Sequence, residues 1–167
     1  DVGKSVSRVG GKAQLPAYRI VGGDLRLTYS QFEELESFAR FGARLDEETE
    51  RKLSRGRRVR EILKQYRYSP LSAPEQIAVL LALNRGIFDE IDISDISEAE
   101  KKIRRVVQDR HPDVMQSIAS GEKPGEETIE HIVTAAAEAV KPFTGQSDSE
   151  KPDSEKSSDA NAGESET

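Results

Sequence analysis

Cysteine is absent from this chain of 167 residues, and aromatic residues make up only 5% of it. Without thiols neither a disulfide framework nor a thiolate metal site can form, a composition that fits a reducing compartment. No apolar run approaches the roughly 18 residues that a membrane span needs. No signal peptide opens the chain either, so membrane association would have to come through partners. Histidine occurs twice, at His111 and His131, on two different expected helices. With no cysteine to join them, helix-surface histidines are the expectation, and no metal ligand is assigned. A serine–histidine–acid triad and a glycine-rich dinucleotide fingerprint are both missing. So is an initiator methionine, and the chain is read as a fragment of a longer polypeptide.

What is present is charge, unevenly spread. The net charge is −6. Residues 145–167 hold seven acids and two lysines, leaving the rest nearly neutral. Within that body the first 68 residues are basic, 15 cations against 10 anions, and residues 69–144 are acidic, 8 against 14. Opposite ends of the molecule are therefore expected to meet different partners.

Helical periodicity dominates. Lys12 to Ile20 can start a helix, limited by Pro16, and Gly22-Gly23 is expected to break it. Asp24 would then cap a second segment with Leu25, Tyr29, Phe32, Leu35 and Phe38 or Ala39 inward, ended by Gly42. Asp46 caps the next helix, with Glu47 and Glu48 opposing the dipole. That helix carries Arg51, Lys52, Arg55, Arg57, Arg58 and Arg60 opposite Leu53, Val59, Ile62 and Leu63. No aromatic stacking platform accompanies the arginines, so a solvated or subunit-facing helix is expected rather than a nucleic-acid site.

Tyr66 to Pro70 reads as a connector. Ser72 and Glu75 form a capping box before Ile77–Leu83, apolar on nearly every side, which marks the central helix of a bundle. Gly86 ends it. The acids from Asp89 to Asp95 lack the glycine and terminal glutamate of an EF-hand and read as a solvent-facing loop. Ser97 to Glu100 repeats the capping box, Pro112 should bend or break the helix that follows, and Gly121 to Gly125 is a turn. A last amphipathic helix runs from Glu126 to Val140, stopped by Pro142. From Gly145 onward the chain is too polar to offset its ordering entropy, and disorder is expected. The fold class is therefore mainly α: a helical bundle with a short extended N-terminal segment and a disordered acidic tail.

The stretch that carries most chemical information is Ser5-Val6-Ser7-Arg8-Val9-Gly10-Gly11-Lys12-Ala13-Gln14. Arg8 precedes a glycine pair that permits close approach by another chain or ligand. Its always-charged fork matches phosphate or carboxylate bidentately; a surface arginine before an ordinary turn is the alternative. Gly3-Lys4-Ser5 looks like the end of a phosphate-binding loop. However, Val6 to Val9 reads extended and meets glycines, not the helix such a loop opens.

This decapeptide resembles the segment closing the nucleotide-binding domain of the alpha subunit of F-type ATP synthases. Similar to that family, too, are Gln31-Phe32-Glu33-Glu34-Leu35, Phe38-Ala39-Arg40-Phe41-Gly42, Leu53-Ser54-Arg55-Gly56, Leu63-Lys64-Gln65 and Tyr68-Ser69-Pro70. The resemblance implies that residues 1–23 are a remnant of the nucleotide-binding domain. Residues 24–143 would be the C-terminal helical bundle, and 144–167 an acidic tail.

It further implies that Arg8 is an arginine finger reaching in trans to the nucleotide of a neighbouring beta subunit, with Ser7 in a supporting place. Gln65 would touch adenine in the alpha subunit's own non-catalytic site. Arg67 stands where the family commonly shows a second glutamine, so at position 67, unlike Gln65, the adenine contact departs from the family pattern. The expected partners are the beta subunit and the gamma rotor, with the loop Asp89–Asp95 on the rotor side. ATP or ADP with Mg would be bound only in the assembled complex, peripheral to the cytoplasmic face of the cell membrane. Lacking the phosphate loop, the chain alone is not expected to be catalytic. The alternative is a non-enzymatic helical interaction module.

Overall fold

The computed structural model describes residues 14–40, 45–64 and 70–144. Among them are six α-helices and no strand: α1 (Pro16–Ala39), α2 (Glu47–Ile62), α3 (Ala73–Asn84), α4 (Ile96–Arg110), α5 (Pro112–Ala119) and α6 (Glu126–Val140). Short 3-10 turns cover Ile93–Asp95 and Lys141–Phe143. The mainly α bundle read from the periodicity is the fold observed. The expected extended N-terminal segment and acidic tail lie outside the described residues.

The all-apolar run does become the centre. In α3, Ile77, Ala78, Val79, Leu81, Ala82 and Leu83 are all buried, and the helix packs on α1, α4, α5 and α6. Each large side chain fully buried there contributes roughly 1.5–3 kcal/mol. Ser72 accepts a bond from the Glu75 N–H, and the Glu75 carboxylate accepts from the Ser72 N–H at 2.9 Å, closing the capping box. At the other end Gly86, with φ 76°, lets Ile87 N–H reach Ala82 O (3.1 Å) and Gly86 N–H reach Leu83 O (3.0 Å). This is a Schellman closure, which needs a residue at positive φ. Gly121 ends α5 the same way, with φ 92°.

Around this axis α4 packs most extensively on α6, burying Ile96, Ala99, Ile103 and Val107 against Ile129, Ile132, Ala135, Ala136 and Ala139. Asp46 caps α2 as expected, accepting from Thr49 N–H at 2.7 Å. Pro112 separates α4 from α5 by standing at the first position of α5, where its missing N–H costs nothing.

Two boundaries differ from the sequence expectation. First, α1 runs unbroken through Gly22, Gly23 and Asp24, so Asp24 caps nothing. Two helical glycines cost about 1 kcal/mol each relative to alanine. That is outweighed because Ala17, Val21 and Phe32 are buried along the helix, and two polar links tie it to α3. These are Tyr18 Oη donating to Gln76 Oε1 at 2.7 Å and Asn84 Nδ2 donating to the Val21 carbonyl at 3.1 Å. Of the two residues that spacing offered for the last inward position, Phe38 is exposed and Ala39 half-buried.

Second, Ser97 is not the cap of α4. The helix begins at Ile96, led in by the 3-10 turn, and no side chain caps it. Ile96 is fully buried, so packing moves the start one residue upstream of the serine. Glu100 then turns toward Arg104.

Candidate functional site

Arg8, Ser7, Gln65 and Arg67 all lie outside the described residues. What the structure shows is the end of α2, the start of α3, and the loop that α2 holds in place.

The arginines of α2 are local anchors. Arg55 donates to the carbonyls of Leu83 (3.3 Å) and Asn84 (3.1 Å) and to Asp89 Oδ2 (3.2 Å). A cation is favoured there because the last carbonyls of α3 carry the negative end of its dipole. Arg58 Nε donates to the Ile91 carbonyl at 3.0 Å, and a second nitrogen donates to Ser54 Oγ. Arg60 reaches α1, 2.8 Å from Glu36 Oε1, with its guanidinium 5.1 Å from the centre of the Phe32 ring. Sequence alone could not show these links, since most join residues 24 to 34 positions apart.

The acidic loop is consequently fixed. Phe88 and Ile91 are its fully buried anchors, while Asp89, Glu90 and Asp92 face solvent. Asp92 accepts from Ser94 N–H and Oγ, both at 2.9 Å. The Ser94 backbone bond holds its carboxyl below the ordinary range.

Between the end of α2, α3 and α4 lies a cleft of about 120 Å³. Ile62, Leu63, Leu71, Val79 and Leu80 form its apolar side, and Lys64 and Leu71 flank residues 65–69. Its charged wall is Arg104, side chain 20% exposed, which sits 3.6 Å from both Glu75 Oε1 and Glu100 Oε1. Its buried Nε has no hydrogen-bond partner among the described residues. The two carboxylates respond oppositely. Burial dominates at Glu100 and raises its pKa over the pull of Arg104. At Glu75 burial also pushes upward, but the Ser72 hydrogen bonds and Arg104 outweigh it and the pKa falls.

Spacing alone (Glu100 and Arg104 as i, i+4) offered a signal for half of this triad, whereas Glu75 comes from another helix. Elsewhere Leu27 and Phe38 stand exposed on α1, eleven residues and so about three turns apart on one side. Among the described residues no three histidines, aspartates or glutamates converge as a metal site. No helix there is long and apolar enough to cross a membrane.

The bundle, the buried α3 axis and the arginine-pinned loop belong to a recognised class. The profile of "ATP synthase alpha/beta chain, C terminal domain" matches residues 14–139, and the chain belongs to that family. Within it the similarity is to alpha subunits. The chain is 58% identical over 140 residues to ATP synthase subunit alpha 2 of Syntrophus aciditrophicus (strain SB), covering 84% of this chain and 27% of that protein. Subunit alpha 2 of Syntrophotalea carbinolica (strain DSM 2380 / NBRC 103641 / GraBd1) is 54% identical over 143 residues, 86% of this chain and 27% of that protein. Subunit alpha 1 of Rhodopirellula baltica (strain DSM 10527 / NCIMB 13988 / SH1) is 51% identical over 140 residues, 84% and 28%. The chain thus spans between a quarter and a third of the length of these relatives.

Proposed function

We propose that this chain is part of the alpha subunit of an ion-translocating rotary ATP synthase or ATPase, peripheral to the cytoplasmic face of the cell membrane. The observation that carries this reading is the family match over residues 14–139, which spans all the helices but the last residue of α6. Residues 1–23 belong to the end of the nucleotide-binding domain and 24–143 to the bundle, with α1 carrying the chain across that division.

In this reading Arg8, with Ser7 beside it, supplies a guanidinium to the nucleotide held by a neighbouring beta subunit. A fixed cation arriving in trans neutralises charge on the transferring phosphoryl group, an effect worth about 10³–10⁵ in rate in comparable systems. Gln65 and Arg67 border the adenine of the non-catalytic site. The loop from Asp89 to Asp95 faces the gamma rotor, and its rigid support by Arg55 and Arg58 suits a surface past which another subunit moves. Leu27 and Phe38 suit a subunit contact. ATP or ADP with Mg is bound in the assembled complex.

The test restores the preceding sequence and mixes the subunit with beta and gamma. A hexameric ATPase is expected, in which Arg8→Ala and Arg8→Lys collapse turnover while leaving nucleotide binding largely intact. Normal turnover in either variant removes the finger assignment. Failure to assemble at all returns the chain to the class of helical interaction modules.

A further inference from the structure

The 3-10 turn Lys141–Phe143 brings a ring beside the outer face of α4. Between the two lies an open groove of about 430 Å³, lined by Phe143 and by three cations of α4, Lys101, Lys102 and Arg105. Glu98 and Asp109 line it as well, so one cation is in excess. Both acids are paired along the helix. Lys101 Nζ is 2.6 Å from Glu98 Oε1, and Arg105 Nε is 3.8 Å from Asp109 Oδ2. All four of these side chains are more than half exposed, and such surface pairs hold weakly and exchange readily for another carboxylate. Lys102 stands 5.7 Å from the centre of the Phe143 ring, with no carboxylate partner among the described residues.

The sequence delivers carboxylates to this spot. Thr144 is the last described residue of the bundle, and residues 145–167 hold seven acids against two lysines. Asp148 comes five positions after Phe143, followed by Glu150, Asp153 and Glu155. Five residues span at most about 18 Å, so the first acid is always close to the groove. The acids come in pairs two positions apart, and in an extended chain such a pair shares one side at about 7 Å. On α4, Arg105 neighbours both Lys101 and Lys102 at about 5–6 Å between Cβ atoms. The two spacings are compatible.

We propose that the acidic segment 145–167 docks on the α4 groove of its own chain, Asp148, Glu150, Asp153 and Glu155 meeting Lys101, Lys102 and Arg105. Direct attachment to the groove's own lining holds the segment there at an effective concentration in the millimolar range, so individually weak contacts suffice. Once docked, it shields the outer face of α4 from any other anion. The proposal is independent of the ATP synthase reading and of Arg8.

The experiment attaches a nitroxide to the 167-residue chain through Ser154→Cys, a unique thiol because the chain has no cysteine. The readout is the paramagnetic loss of amide NMR signals. At low salt the amides around Lys101, Lys102 and Arg105 should be attenuated about twofold more in the parent than in Lys102→Glu/Arg105→Glu; the effect should also fade at about 1 M NaCl, where the screening length is about 3 Å. Both replaced side chains are exposed, so the variant should fold. Asp148→Asn/Glu150→Gln/Asp153→Asn/Glu155→Gln leaves the bundle unaltered and should lose the effect equally. Equal attenuation in the parent and both variants would mean that the tether alone places the segment, and would overturn the proposal. Attenuation centred on the arginines of α2 would overturn it too. So would transfer of the effect to an isotope-labelled chain lacking the nitroxide, since the segment would then occupy a second copy.

Discussion

The ring of Phe32 occupies the space that a side chain on Gly56 would need. A methyl placed there would lie 2.2 Å from Cγ and Cδ2 of Phe32, and Phe32 is itself fully buried. The glycine inside α2 therefore lets α1 and α2 come together at that point. Gly56→Ala gains about 1 kcal/mol of helix propensity but drives a rigid ring out of its place. A net loss of about 2 kcal/mol is expected from such overpacking, read as a lower urea midpoint with unchanged slope.

Gly22 and Gly23 predict the opposite. A Cβ at either position meets nothing within 4 Å, and both sit in helix. Gly22→Ala should stabilise the chain by about 0.5–1 kcal/mol, partly by restricting the unfolded state. Thermal melting of the two alanine variants side by side checks the contrast, and a destabilised Gly22→Ala would contradict the packing described for α1.

Arg55 and Asp89 separate an ion pair from a helix cap. Asp89 takes one of the three bonds given by Arg55, and both side chains are more than a third exposed. Asp89→Asn should cost well under 1 kcal/mol, whereas Arg55→Ala, which also strips the carbonyls of Leu83 and Asn84, should cost about 1–2 kcal/mol. Equal losses in chemical denaturation would mean that the carboxylate, not the helix end, is the important partner.

Glu75 and Glu100 set opposite pH responses around Arg104. Glu75 has its pKa lowered from the ordinary 4.5, so its contribution is present above that value and lost as pH falls through the folded pKa. Glu100 has its pKa raised from 4.5, so the folded state holds its proton longer. Stability is then lost as pH rises from 4.5 through the folded value. At pH 7 Glu75→Gln should destabilise and Glu100→Gln should stabilise. Below pH 4 the Glu100→Gln difference should vanish. Unfolding midpoints at pH 4 and pH 7 decide it.

Local chemistry was legible before the fold. Asp46 and Ser72 are read as caps because each bonds an N–H only three residues on, and Gly86 because a helix end there demands positive φ. Reading failed where distant packing decided. Ser97-x-x-Glu100 has the same letters as the true box, yet burial of Ile96 starts the helix earlier. Gly22-Gly23 has the letters of a break, yet α3 holds the half of α1 before the pair and α2 the half after it. The anchoring of the acidic loop by Arg55 and Arg58, and the meeting of His111 with His131, join parts of the chain that no spacing rule connects. The assignments of Arg8, Ser7, Gln65 and Arg67 rest on likeness to the family and fall outside the residues the structure describes.

The uninterrupted course of α1 has a mechanical corollary. Its 24 residues make a rod about 36 Å long, gripped by α3 near its start and by α2 near its finish. Any tilt imposed on the residues leading into Pro16 is delivered at Phe38, and the pair of glycines is where that rod has least torsional stiffness. Replacing them would harden the lever as well as steady the fold.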